Sequence, residues 1–239
     1  MSGPEPTDVR GRVAEVRGRL DEACRRAGRD PAGVRLMAVS KTHGPELVRE
    51  AYAAGLRLFG ENKVQEAAAK AEACADLDEV TWAAVGHLQT NKAGQLLGFA
   101  DEFHALDSLR VARALDRRLA DLERTLDVFV QVNSSGEESK FGLAPDDVER
   151  FAGELEPYAT LRVRGLMTLA VFSADEGEVR ACFERMAALV QRLPYGELSM
   201  GMSSDFELAV EYGATTVRVG EAVFGRRLRP DDYWPADRR

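Results

Sequence analysis

The sequence predicts a single (β/α)8 barrel, and three observations carry that reading. Short apolar runs alternate with longer stretches of helical period along a chain of 239 residues. Eight such runs can be assigned, no break in composition divides them, and the length is close to that of one barrel. Most runs end in glycine or a small polar residue, as strands do where they open into βα loops. A doubly wound open sheet shares this alternation, and strand count alone leaves it open.

In chain order, residues 7–27 read as an extra N-terminal helix. Val9, Val13, Val16, Leu20, Cys24 and Ala27 recur at three- and four-residue steps, and Gly28 and Pro31 stop it. This helix would cover the barrel or pack on its side. The runs assigned as strands are 35–40, 56–59, 81–85, 102–105, 127–132, 163–168, 198–201 and 216–219. Helical segments lie between them, around 45–54, 62–75, 90–97, 109–124, 145–155, 176–192 and 205–212. Asn62 with Gln65, and Ser204 with Glu207, have capping-box spacing. Residues 226–239, with Pro230 and Pro235, read as a surface tail of the same domain.

Composition narrows the function. Hydrophobic residues make up 45% and charged residues 30%, ordinary for a soluble globular protein. With 40 acidic against 32 basic residues, a net charge of -8 and no basic block, nucleic acid is not the expected partner. The first residues show no apolar secretory core, and no run is long enough to span a bilayer. Cys24, Cys74 and Cys182 are odd in number and scattered, which fits a reducing cytoplasm rather than a disulfide framework. His43, His87 and His104 lack ligand spacing, so no metal is expected. No long exposed apolar stripe is evident, and a monomer is expected.

In a barrel the chemistry gathers at the C-terminal ends of the strands. Lys41 closes the first run; it is either a solvated strand end or an amine at the mouth of a pocket. Ser203 and Ser204 follow the seventh strand and Gly220 the eighth, where barrels commonly bind phosphate. Arg218 lies inside the last strand between Val217 and Val219. If those valines face the helices, alternation turns Arg218 into the barrel. There it pairs with a strand carboxylate such as Glu197 or faces a ligand. An amine at strand one and phosphate donors at strands seven and eight point to an aldehyde-bearing phosphate, pyridoxal 5′-phosphate.

These stretches resemble the YggS/PROSC family of pyridoxal phosphate homeostasis proteins. The resemblance runs from about residue 9 to Arg227, through Ala38-Val39-Ser40-Lys41-Thr42, Phe59-Gly60-Glu61-Asn62 with Gln65-Glu66, and Trp82 with the run from Val85 to Lys92. It continues through Ser139-Lys140-Phe141-Gly142, Gly165-Leu166-Met167-Thr168, Leu198 to Asp205, and Val217-Arg218-Val219-Gly220 with Val223-Phe224-Gly225. It implies a barrel like the N-terminal domain of alanine racemase without that enzyme's β-domain, with the cofactor held as a Schiff base on Lys41. It further implies phosphate binding by Ser203, Ser204 and the Gly220 backbone, Arg218 at the pyridine nitrogen, and Asn62, Met167 and Ser199 around the pocket. Asn62 reads equally as a helix cap, and His87, Lys92 and Lys140 as loop residues. Two departures stand out: Ala83-Ala84 after Trp82, where the family usually has His and a bulky residue, and Glu221 in place of Thr or Ser.

The function so implied is intracellular cofactor homeostasis without turnover, with release to pyridoxal phosphate-dependent apoenzymes. Weak racemase or lyase activity is the second reading, and a non-covalent phosphate-binding interaction barrel the third.

Overall fold

The structure, a computed structural model, describes residues 8–225. Eight parallel strands close into a barrel in sequence order: β1 (Arg35–Val39), β2 (Leu58–Glu61), β3 (Thr81–Ala84), β4 (Glu102–Leu106), β5 (Leu126–Val132), β6 (Leu161–Thr168), β7 (Glu197–Ser199) and β8 (Thr216–Val219). β8 pairs with β1 in the register Arg35 to Thr216 and Met37 to Arg218. No edge is left open, which excludes the doubly wound alternative. The helices are α1 (Val9–Arg26), α2 (Pro45–Ala53), α3 (Val64–Ala73), α4 (Ala93–Leu97), α5 (Leu109–Asp121), α6 (Val148–Leu155), α7 (Glu176–Val190), α8 (Phe206–Glu211) and α9 (Glu221–Phe224). The tail expected at 226–239 lies outside the described residues.

Local chemistry explains where the elements stop. The Asp8 carboxylate accepts from the Gly11 N–H at 2.8 Å and caps α1. The helix ends in a Schellman turn: Gly28 has φ 65°, its N–H donates to the Arg25 carbonyl, and Arg29 N–H donates to that of Cys24. Val9, Val13, Val16, Leu20, Ala23 and Cys24 form its buried stripe, which packs on α2, α8 and α9 beside the β8–β1 junction. α1 therefore covers the side of the barrel.

The departures from the periodicity have the same kind of cause. Leu56 N–H caps α2 through the Ala51 carbonyl, so β2 starts at Leu58 rather than 56. β7 ends at Ser199 because Gly201, at φ 91°, leaves the extended region. The segments expected at 90–97 and 145–155 each open with a 3-10 turn. The four-residue α9 is too short for a period to show.

Neither expected capping box forms. α3 begins after Lys63 and α8 after Asp205, with no side-chain cap at either. Asn62 and Ser204 instead line a cavity, and Glu207 binds Arg19 at 2.7 Å.

Alternation along the strands builds two cores. The larger fills the space between sheet and helices and includes Val217 and Val219. Inside the barrel, Met37, Val39, Leu58 and Ala83 form a small apolar cluster on one side. The other side is polar: Glu102, His104, Ser199, Thr216 and Arg218 are all buried. Barrel interiors are usually filled with branched apolar residues, so this half is unusual.

Where β6 meets β7, Gly165 pairs with Glu197, and a Cβ at Gly165 would lie 1.8 Å from the Glu197 carbonyl oxygen. Gly165→Ala is expected to lower stability by about 2–3 kcal/mol. Denaturant unfolding with an unchanged midpoint would show that the strands can separate at no cost.

Candidate functional site

Two adjacent strand ends divide their side chains between two faces. Lys41 and Asn62 continue the inward series of β1 and β2, while Ser40 and Glu61 continue the outward one. Behind the sheet lies Lys70 of α3, only 2% exposed. Its Nζ donates to the Ser40 carbonyl at 2.6 Å, to Glu61 Oε1 at 2.6 Å and to Glu66 Oε1 at 2.9 Å. The Ser40 hydroxyl also donates to Glu61 Oε1, at 2.6 Å. Glu66 Oε1 accepts from the Thr42 N–H at 2.6 Å. Thr42 is left-handed, at φ 67°, a costly conformation for a β-branched residue. Both neighbours of Lys41 are thus held by one buried ion cluster. Burial pushes the Glu61 carboxyl upward against the pull of Lys70 and Ser40.

On the inward face, a cavity of about 500 Å³ opens at the C-terminal ends of the strands. It is lined by Lys41, Asn62, Ser203, Ser204, Arg218 and Gly220, six of the residues the sequence singles out. The loops after β2 and β3 meet closely beside it: a Cβ at Gly86 would lie 2.1 Å from the Asn62 carbonyl oxygen. Ser203 Oγ accepts from the Ala222 N–H at 3.4 Å, which joins the loop after β7 to the start of α9. Glu221 also lines the cavity, a carboxylate on the rim that carries these hydroxyls. Burial and the nearby Lys70 lower the pKa of His43, and its Nδ1 is buried without a partner.

Arg218 is buried at the cavity wall and does not pair with Glu197, which instead binds Arg164 at 2.7 Å. Its Nη1 donates to Ser199 Oγ at 2.9 Å and its Nη2 to the Thr168 carbonyl at 2.7 Å. Thr168 is fixed in turn: its hydroxyl donates to the Val132 carbonyl at 2.8 Å. Burial draws the guanidinium down to about 10, which still leaves a cation at neutral pH. Beyond Ser199 lies His104, whose Nδ1 is 2.9 Å from Ser199 Oγ and whose Nε2 is 2.8 Å from Glu102 Oε2. Burial, offset only in part by Glu102, takes the imidazole from 6.5 to about 4.

Met167 and Ser199 are fully buried and lie outside the cavity lining; Ser199 reaches the cavity through Arg218. His87 lines the cavity, stacked on Phe141 at 4.2 Å with Nδ1 3.3 Å from Asp107. Lys92 and Lys140 are not among the lining residues, and Lys140 Nζ donates to the Ala170 carbonyl at 2.9 Å. At strand three the cavity wall is Val85 and Gly86, while Ala83 packs in the barrel interior and Ala84 in the outer core.

His43, Gln131, Phe141 and Phe172, to which the sequence assigns no site role, also line the cavity, as do Val39, Leu169, Met202 and Gly225. Gln131 is detectable as the polar residue that interrupts the apolar stretch 128–132 of β5. Phe172, 92% exposed, lies outside any regular element and left no periodic signal.

A closed parallel barrel that gathers an amine, a guanidinium and hydroxyls at its C-terminal mouth belongs to a class of barrels that receive small anionic ligands there. Residues 13–228 match the family model described as alanine racemase, N-terminal domain. A protein of Pseudomonas aeruginosa named pyridoxal phosphate homeostasis protein is 45% identical over 90% of this chain and 94% of its own length. One of the same name from Aquifex aeolicus is 40% identical over 90% of this chain and 97% of its own. The chain belongs to this family of pyridoxal phosphate homeostasis proteins. The structure of PipY from Synechococcus elongatus with PLP bound superposes with a TM-score of 0.81 at 37% identity, covering 91% of this chain and all of that one. Alanine racemase from Streptomyces coelicolor shares the fold, with a TM-score of 0.66 at 21% identity over 94% of this chain and 61% of the racemase.

The buried imidazole makes a pH prediction. A histidine whose pKa is lower in the folded than in the unfolded state stabilises the fold above its ordinary value of 6.5 and stops doing so as pH falls toward about 4. Between about pH 7 and 4.5 the wild type should therefore lose roughly 2–3 kcal/mol more than His104→Asn. Glu61, Asp101 and Asp205, pushed up by burial, act in the opposite direction in both proteins and cancel in the comparison. Glu102 loses its His104 hydrogen bond in His104→Asn, so its pKa rises there and adds to the difference in the same sense. Parallel unfolding curves for the two proteins across that range would show that His104 is not held neutral.

Proposed function

We propose that this chain binds pyridoxal 5′-phosphate in the Lys41 cavity, keeps it in reserve in the cytoplasm and releases it to apoenzymes. The observation that carries this reading is Arg218. A buried guanidinium whose hydrogen-bond partners are a hydroxyl and a carbonyl, both uncharged, faces a cavity that also holds an inward lysine. A buried cation calls for an electron-rich partner; the Asp205 carboxylate acts on it only through space, and the cavity it faces has room for an incoming ligand. The names of the relatives, and the cofactor in the PipY structure, favour the ligand.

The lining fits the cofactor group by group. Lys41 would hold its aldehyde, Arg218 would donate to its ring nitrogen, and Ser203, Ser204 and the Gly220 backbone would take its phosphate. Asn62 would contact its polar edge, with Met167 and Ser199 supporting the wall from behind. Bound there, the cofactor would supply an aldehyde for reversible covalent attachment to an amine.

Storage is favoured over turnover by the same guanidinium. Arg218, a cation at neutral pH, leaves a facing ring nitrogen unprotonated. Such a ring withdraws electrons less strongly than one paired with a carboxylate, which disfavours carbanion chemistry while permitting amine exchange. Weak racemase or lyase activity would appear as sustained amino-acid conversion lost in Lys41→Ala. A non-covalent phosphate-binding barrel would give colourless protein. A monomer completes the proposal.

Two measurements test it. Purified protein given pyridoxal 5′-phosphate should show a visible band that borohydride removes, with the reduced adduct on the peptide carrying Lys41 and no such adduct in Lys41→Ala. A colourless wild type, or an adduct located elsewhere, would overturn the assignment. Glu221→Thr, which removes a carboxylate from the phosphate rim, is expected to slow cofactor loss about fivefold. An unchanged rate would mean that Glu221 turns away from the phosphate.

A further inference from the structure

A hydrogen-bonded chain runs along the polar half of the barrel interior from one end to the other. At the N-terminal end, Arg35 donates to both oxygens of Glu102, at 2.6 and 3.3 Å, and its Nε donates to Thr216 Oγ1 at 3.1 Å. Glu102 meets His104, His104 meets Ser199, and Ser199 meets Arg218 at 2.8, 2.9 and 2.9 Å. Glu102, His104, Ser199 and Arg218 are all buried, and His104 stacks on Phe129 with ring centroids 4.0 Å apart.

The chain can run in one direction only. Arg218 has donors and no acceptor, and an ionised Glu102 has acceptors and no donor. Ser199 therefore accepts from Arg218 and gives its own proton to His104 Nδ1. His104 then carries its proton on Nε2 and gives it to Glu102. Each neutral link accepts once and donates once, and each end is a charged group. The charged groups around His104 are Glu102 on its own strand, Arg35 on β1 and Arg218 on β8. Glu197 on β7 lies 3.7 Å from Arg35, and Asp205 acts on Arg218 through space.

Branched apolar side chains would fill this space with less desolvation. We propose that Ser199, His104 and Glu102 are positioning residues for Arg218. Their directed chain, anchored at Arg35, fixes the plane of the guanidinium so that its remaining N–H groups enter the cavity at one angle. The proposal deepens the cofactor reading above and rests on it, because the angle matters for a ring nitrogen facing Arg218.

The test uses the full chain with and without pyridoxal 5′-phosphate. Without cofactor, nitrogen NMR should show His104 neutral with its proton on Nε2 at pH 7, and Arg218→Lys and Ser199→Ala should each shift the Nδ1 resonance. With cofactor, Ser199→Ala, Glu102→Gln and His104→Leu should still form the borohydride adduct on Lys41. Each should bind about tenfold more weakly and show a displaced pH midpoint of the visible band. His104→Asn, which keeps an acceptor for the Ser199 hydroxyl, should recover most of what His104→Leu loses. A proton on Nδ1, or variants with the wild-type band, midpoint and affinity, would overturn the positioning role while leaving the cofactor reading intact. A wild type that develops no band would overturn both, and the NMR result would separately decide whether the chain exists.

Discussion

The site depends first on the Lys70 ammonium. It sits behind the ends of β1 and β2 and binds a carbonyl and two carboxylates, all within 2.9 Å. Removing one partner from such a cluster leaves charge buried without compensation, typically at about 3–5 kcal/mol. The cluster is therefore a joint that tolerates little slack. Because strand side chains alternate, fixing Ser40 and Glu61 on the outer face also fixes Lys41 and Asn62 on the inner one. The left-handed Thr42 fits this account: its strain is held by the Glu66 carboxylate at its N–H, next to the residue whose direction matters most.

The barrel interior shows the same division of labour. Met37, Val39, Leu58 and Ala83 fill the half beneath Lys41 as ordinary packing. The opposite half contains an imidazole, a carboxylate, a hydroxyl and a guanidinium, each satisfied by the next. A partly satisfied polar network would be worse than an apolar core, so such an arrangement is retained only when it is complete. Glu102 illustrates this: burial pushes its pKa upward, and the hydrogen bonds of His104 and Arg35, with the Arg35 charge, outweigh that and hold it at about 2.

Much of this was legible in the residues. Alternating periods gave the eight strands and their order, and β8 matches its expected bounds. The alternation of Val217 and Val219 turns Arg218 inward if those valines face the helices, and both pack in the outer core. What failed was reading side chains as local. Asn62-Gln65 and Ser204-Glu207 have capping spacing, yet the loops carry Asn62 and Ser204 into the cavity and neither caps its helix. The partners of Glu102 and Lys70 were also invisible. They lie on other elements, and a buried ion network leaves no period in the sequence. Lys70 looked like one more polar residue of an alanine-rich helix, although it is among the largest fully enclosed side chains described.

The identity of residue 218 follows from the geometry around it. Two of its donors are fixed by groups that cannot move independently: Ser199 by its bond to His104, and the Thr168 carbonyl by the pairing of β6 with β5 and by the Thr168 side chain. A guanidinium is planar with five donors in a fixed fork, so setting two of them sets the rest. A lysine at the same position would be a point charge on a flexible stem, free to turn toward whichever acceptor was nearest. Arginine thus converts rigidity in the barrel wall into a fixed direction in the cavity. It does so with a guanidinium whose pKa burial lowers to about 10, which keeps its charge at neutral pH.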